Sequence, residues 1–583
     1  MRTQIMKLFC GNEMRIFGSR FVTTTSHPRH ATDISASVKE ETQESGGIMY
    51  SSFPDLKIAN KDIFSYYYDI SKSWQHKTFT ECGLSGKKYT FGQTMDSALR
   101  WGEAVKKILP NSKNPTIAFL CPNSPDFVCL FLGTLAAGGI VSPLNPLYTP
   151  GETANQIRDS GAELLVVDSI LEPLADAVLK VLGKPMPVVV NGVSSSGRPN
   201  AQEVLVDPNA KMLDFKELDP NSVAILPYSS GTTGTPKGVK LSHNAFTINT
   251  CMVSNEHFCK CKAALGDHQE VQIGILPLFH VFGISGTLMH GLHLGIKTIT
   301  MPKFDPNLFI STIKRHGFST FKNPMITTLK VVPLLSKFIA SCDLITKDDL
   351  KSTHTFIIGG SPLSTDVVYG LKNKTAPTVH INEGFGMTET LITHGTPVLN
   401  ETIGSSFRLL PNAKAKVVDL DTREMLPPNT PGELIVQSPS SMLGYHNNEE
   451  ATKETMDEEG WVRTGDVAVY TEEGLFSIID RIKELIKVKS LQVSPTEIEE
   501  TLQKHPGVAE AGVVGVPDDQ LGEAPVAFIV KSDPDVSEKD IHSFMEKNLS
   551  KHKQLAGGIK FVDELPKNAT GKLLRRILKK SLN

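Results

Sequence analysis

The chain has 583 residues, too many for one hydrophobic core, so more than one domain is expected. Hydrophobic residues make up 40% and charged residues 21%, and the glycines and prolines are scattered, which excludes a collagen-like or low-complexity body. A formal net charge of -3 excludes a global basic footprint for nucleic acid, while local basic sites for phosphate stay open.

The first thirty residues carry Arg2, Lys7, Arg15, Arg20 and Arg29 against a single acid, Glu13, with a Thr23-Thr24-Thr25-Ser26 run. Arg-rich, hydroxyl-rich and acid-poor is the composition of a mitochondrial transit segment, expected here over residues 1–30; a disordered tail is the plainer alternative, with a cytosolic protein. Residues 31–49 are polar and read as a disordered linker. From residue 50 strand and helix patterns alternate. Pro115–Leu120, Glu163–Val167, Pro187–Asn191 and Ile296–Thr300 predict short buried strands, and Ala154–Ser160 predicts a helix. The apolar run Phe127–Val141 is shorter than the ~20 residues a membrane-spanning helix needs, and predicts a buried helix ending at a turn on Ser142–Pro143. This alternation implies an α/β class with parallel-rich sheets in a large N-terminal domain of several subdomains, residues 50–482. After Asp480-Arg481 the register changes. Helices over Glu497–Lys504 and Glu538–Leu549, with strands over Ala509–Val516 and Ala524–Val530, predict a small α+β C-terminal domain, residues 483–583.

Eight cysteines in so long a chain read as reduced thiols rather than a disulfide framework. The group Cys251, His257, Cys259, Cys261 lacks the second close pair of a usual zinc site, so ordinary packing is the reading.

The stretch Tyr228–Lys240, YSSGTTGTPKGVK, follows a predicted strand, Val223–Leu226. Small residues let backbone N–H groups approach phosphate oxygens, hydroxyls add donors, and Lys237 adds charge. It is not a P-loop: Pro236 precedes the lysine and Gly238 follows it, so that motif's final glycine and metal-binding hydroxyl are missing. The string closely resembles the AMP-binding signature of the acyl-adenylate-forming superfamily, which includes acyl-CoA synthetases, coumarate–CoA ligases, luciferases and peptide-synthetase adenylation domains. Further motifs in family order, from about residue 55 to Arg575, extend the resemblance.

The resemblance implies a large adenylation domain with a mobile C-terminal lid, and a site for ATP, Mg²⁺ and coenzyme A. Ser229, Ser230, Gly231, Thr232, Thr233, Gly234 and Lys237 would cradle phosphates. His280, in LPLFHVFG, would stand at the acyl gate, and Lys303 near the coenzyme A nucleotide. Gly359, Gly384 and Phe385 would pack on adenine and acyl chain, Thr388 would bond phosphate, and Glu389 would hold Mg²⁺. Asp466 would take the ribose hydroxyls, Arg481 would face ribose and phosphate, and Lys483 would be the hinge. Lys487 and Gln492 would contact the adenylate, and Lys489 would face coenzyme A. The family usually has glycine where Ser490 stands. Lys572, in NATGKLLR, would reach the α-phosphate and carboxylate; with His280, Thr232 and Glu389 it would form the catalytic set. The basic tail Arg575, Arg576, Lys579, Lys580 reads as a solvated helix face.

The implied reaction joins a carboxylic acid to AMP and passes the acyl group to coenzyme A. The partners would be small molecules only, with no transmembrane segment. Medium- or long-chain fatty acids and aryl-propenoic acids both stay open, the candidate pocket positions Phe282, Gly286, Gly359, Gly384 and Thr396 being mostly small and consistent with a bulky acyl group. A luciferase-like oxygenase and a carrier-loading adenylation enzyme are the alternatives on the same fold.

Overall fold

A computed structural model of the chain describes residues 47–57, 60–229, 236–317, 325–399, 406–489, 491–568 and 571–582. The expected leader over residues 1–30 lies outside them. The polar stretch expected over 31–49 ends in a strand, Met49–Tyr50, with Met49 opposite Ala415 and buried.

Among the described residues, three large sheets build the N-terminal part. The first has six strands, ordered Leu241–Ser242, Val223–Ile225, Ile140–Pro143, Thr116–Leu120, Leu164–Asp168 and Val188–Asn191. It is parallel except at its Leu241–Ser242 edge. The second has nine strands, and its centre runs parallel through His380–Met387, Thr355–Gly359, Thr328–Val331, Val271–Gly274 and Lys297–Thr300. The third is an antiparallel five-stranded sheet ending in Val462–Tyr470 and Phe476–Arg481. The near-continuous Val/Ile/Leu content of Leu164–Asp168 and Val188–Asn191 follows from strands covered on both faces.

The apolar run from Phe127 divides where one helix was expected. The helix Pro125–Ala136 starts at Ser124, whose hydroxyl accepts the Phe127 amide at 3.0 Å, with Pro125 in the first turn. It ends because Gly138 takes φ +75°, and Ile140–Pro143 then continues as a strand, so Ser142–Pro143 is strand and not turn. Every residue of that helix is buried. At Gly133 it crosses helix Phe91–Ile108 so closely that a Cβ would stand 2.1 Å from the Ala98 carbonyl oxygen.

After Arg481 a smaller unit begins. Its strands Val508–Asp518 and Gly522–Lys531 pair along most of their length, and the second strand also takes the hairpin Ile486–Val488/Leu491–Val493 at Gly522 and the parallel strand Ile559–Phe561 further along. Helices Pro495–Gln503 and Glu538–Asn548 cover a separate apolar core that includes Val493, Ile498, Val513, Ile529 and Ile541. Asp480, the last residue but one of the preceding sheet, accepts from the Ser494 hydroxyl at 2.6 Å and the Thr496 amide at 3.0 Å, across the boundary between the two units.

Candidate active site

Two groups of side chains stand out, one within the N-terminal part and one where the C-terminal unit meets it. The first is built on the glycine-rich loop. Tyr228–Ser229 and Lys237–Gly238 form a two-stranded hairpin with Ser229 opposite Lys237. Its tip, with Ser230, Gly231, Thr232, Thr233 and Gly234, lies outside the described residues. Ser229 donates to Glu389 Oε1 at 3.0 Å, and the Tyr445 hydroxyl donates to the same oxygen at 2.9 Å. Lys237 Nζ stands 4.9 Å from the centre of the Tyr445 ring, in cation–π range. Glu389 is buried, and its Oε2 has no hydrogen-bond partner among the described residues. A carboxylate with one oxygen fixed and the other free offers a hard ligand to a cation such as Mg²⁺. Tyr445 was not foreseen; nothing in its sequence neighbourhood sets it apart, and only the bridge between Val239 and Tyr445 brings it under the loop.

The second group surrounds Lys572. Asp466 and Arg481 stand directly opposite on neighbouring strands, and Arg481 Nε lies 3.2 Å from Asp466 Oδ1. Burial raises the Asp466 carboxyl above its ordinary range, opposed by Arg481 and Lys572. Lys572 sits in a tight turn: Asn568 Oδ1 accepts its amide at 2.9 Å, and Gly571 takes φ +79°. Burial and the Arg481 charge bring its amine down to about 8, against the pull of Asp466. His280 feels the same lysine. Burial first and Lys572 second lower its imidazole to about 4, and its Nδ1 accepts the Phe282 amide at 3.2 Å. The Lys572 turn docks on the N-terminal part, where a Cβ on Gly571 would lie 3.3 Å from Leu334 Cβ.

Phe385 is half-buried on the strand His380–Met387, its ring 5.6 Å from that of His394, and Gly384 is opposite Gly359 on the neighbouring strand. Thr388 is half-buried one residue before Glu389. The gate segment after His280 is a π-helix, Phe282–Met289, a geometry often found at functional sites.

Other foreseen residues stand apart. Lys303 and Lys483 are exposed. Lys487 and Gln492 are exposed cross-strand neighbours, and Lys489 holds the hairpin tip at φ +49° beside Ser490, which lies outside the described residues. Arg575 corrects the reading of a solvated tail. The helix Arg575–Lys580 forms, but the Arg575 guanidinium is half-buried on Glu484 at 2.9 Å and Glu499 at 2.8 Å, and donates to the Val513 carbonyl. Two carboxylates within reach hold it there. Arg576, Lys579 and Lys580 are exposed. The Cys251, His257, Cys259, Cys261 group packs without a metal-ligand cluster among the described residues. No helix among them is long and apolar enough to cross a membrane.

The family model described as AMP-binding enzyme matches residues 71–446, and that for the AMP-binding enzyme C-terminal domain matches residues 497–572. A probable 4-coumarate–CoA ligase of Dictyostelium discoideum is 32% identical, covering 91% of this chain and 97% of its own. A 4-coumarate–CoA ligase of Solanum tuberosum is 31% identical over 93% and 98%. Among solved structures, ATP-bound MatB from Rhodopseudomonas palustris superposes with a TM-score of 0.79 at 26% identity, covering 90% of this chain and 99% of the other. An anthranilate CoA ligase in complex with anthranoyl-AMP superposes with a TM-score of 0.77 at 25% identity over 90% and 98%. Sequence over nearly the whole length, the two-part α/β fold and the paired site groups agree: the chain belongs to the AMP-binding enzyme family and is an acid–thiol ligase by class.

Proposed function

We propose that the protein activates a carboxylic acid with ATP to an acyl-adenylate and transfers the acyl group to coenzyme A. The observation that carries this reading is the seating of the Lys572 turn, from the C-terminal unit, on Leu334 of the N-terminal one, within electrostatic reach of Asp466, Arg481 and His280. In the first step the acid's carboxylate attacks the α-phosphorus and pyrophosphate leaves. Both reactants are anionic, so positioning and cationic stabilisation do most of the work. Lys572 supplies charge at the α-phosphate and carboxylate, Lys237 and Ser229 meet the outer phosphates, and Asp466 accepts the ribose hydroxyls. Glu389 Oε2 would hold Mg²⁺, which neutralises phosphate charge when bound. Neutral His280 lines the acyl entry without attracting the carboxylate away from Lys572. In the second step the coenzyme A thiol attacks the mixed anhydride and AMP leaves.

The acid proposed is an aryl-propenoic or a fatty acid, the first supported by the 4-coumarate–CoA ligase relatives. The division of labour proposed is an AMP-binding domain over residues 50–482 and a lid over 483–583 that turns at Lys483 to bring Lys489 toward the thiol. Residues 1–30 support delivery to the mitochondrion; a fusion of these residues to a fluorescent protein that stayed in the cytosol would remove that part.

Acid-dependent ATP–pyrophosphate exchange, run over a panel of acids and followed by thioester formation with coenzyme A, tests the reading. Exchange followed by coenzyme A-dependent AMP release is expected. Absence of exchange with every acid would overturn it; exchange without thioester would leave a carrier-loading enzyme or an oxygenase.

A further inference from the structure

One face of the nine-stranded sheet buries a cation. On Thr328–Val331, Leu329 and Val331 point into one apolar core, as Phe356 and Ile358 do on the adjacent strand. By strand alternation Lys330 and Gly359 point the other way, toward the π-helix. Lys330 lies opposite Ile357, so it sits two residues, about 6.6 Å at 3.3 Å per residue, behind Gly359. The helix makes the same journey: Phe282–Met289 runs directly into His290–Leu294. Lys330 Nζ is 2.6 Å from His290 Nδ1, and His290 Nε2 is 3.4 Å from Cys259 Sγ. Strand and helix therefore lead together from the Gly359–Phe282 level to a Lys330–His290 pair at the back.

At the front level stands the Phe282 ring. A Cβ on Gly286 would lie 2.8 Å from its Cδ2, and one on Gly359 3.6 Å from its Cε1. The missing Cβ atoms of the two glycines make room for this half-buried phenylalanine ring. Beyond it the Lys330 side chain is 0% exposed, and among the described residues no carboxylate forms an ion pair with it. A buried lysine that bonds an imidazole, with the Cys259 and Cys261 thiols and no carboxylate supporting its charge, is an arrangement a carboxylate would stabilise.

We propose that Lys330 and His290 close the far end of the acyl pocket and bind a second, distal carboxylate. The substrate class is then a medium-chain α,ω-dicarboxylic acid, one long enough to reach past the about 6.6 Å between the Gly359 and Lys330 levels. Phe282 is the partition that turns aside as the chain enters. This rests on the acid-activating function above. A monocarboxylic acid of equal length would bring a methyl group against the ammonium and leave it unpaired.

The test is pyrophosphate exchange by the full chain with octanedioate and with octanoate at pH 7, where both carboxylates of the diacid are ionised. The expected result is a kcat/KM for octanedioate about tenfold or more above that for octanoate, the effect of one buried charge-assisted bond. Lys330→Met keeps length and removes charge; it is expected to reverse the preference. Its melting temperature and ATP affinity report whether it folds, and the wild-type ratio decides the matter without it. Equal activity on both acids, as a Cys259 thiolate already neutralising Lys330 would produce, or a preference for octanoate, would overturn the inference and leave the acid-activating function standing. Exchange with neither acid nor any other would overturn both.

Discussion

Lys572 is the residue on which the first half-reaction turns. Lys572→Ala is expected to abolish acid-dependent pyrophosphate exchange while sparing coenzyme A attack on a supplied acyl-adenylate; equal loss of both would contradict its role. Its amine is held at about 8, so it is charged below that pH and neutral above it. The kcat/KM of adenylation, a property of the free enzyme, is therefore expected to fall as pH rises through about 8. Arginine in its place should move the fall upward, and a profile flat from pH 7 to 9 would remove this assignment. Tyr445→Phe removes one of two donors to Glu389 Oε1 and is expected to lower adenylation by about fivefold, the worth of one hydrogen bond of ~1 kcal/mol. Titration with Mg²⁺ should show the loss as weaker metal dependence. The lysines, acids and glycines of this site were legible because their types and order matched a known pattern. Tyr445 was not, because a single aromatic at the end of a short Met-Leu-Gly stretch has no periodicity, and its meeting with Glu389 depends on a contact made only in the fold.

Strands and helices were legible wherever one periodicity ran unbroken, as in Thr116–Leu120, Leu164–Asp168 and Pro495–Gln503. The run from Phe127 was misread because an all-buried helix and an all-buried strand carry the same apolar signal, and only Gly138 divides them. Arg575 was misread for a different reason. Charge next to charge on a terminal helix looks solvated until Glu484 and Glu499, far away in sequence, arrive beside it. Its contacts tie the helix that follows Lys572 to the segment just after Lys483. Removing the guanidinium leaves two carboxylates facing each other, so Arg575→Met is expected to destabilise the C-terminal unit by about 3 kcal/mol. Hydrogen exchange at the Val513 and Leu574 amides should then rise about a hundredfold, with partial recovery in Arg575→Lys. Unchanged protection would show that the pair contributes nothing.

The whole molecule is caught with its small unit closed over its large one, Gly571 against Leu334. A Cβ on Gly571 would lie 3.3 Å from Leu334 Cβ, near the ~3.5–4.5 Å a disulfide spans. The double variant Gly571→Cys/Leu334→Cys strains the Lys572 turn, so it is compared with its own reduced form: once oxidised it is expected to keep that form's pyrophosphate exchange and lose thioester formation. A reductant should restore the second step. Equal thioester formation before and after reduction would show that no swing is needed.

Asp480 gives that swing its character. It belongs to the large unit, while Ser494 and Thr496, which donate to it, belong to the small one and lie beyond Lys483. A buried carboxylate stripped of two donors is a poor resting state, so a half-turned molecule is disfavoured on either side of the pivot. The enzyme should behave as a toggle with two seated positions rather than a loose flap, and the depth of the first seat is written in a single aspartate.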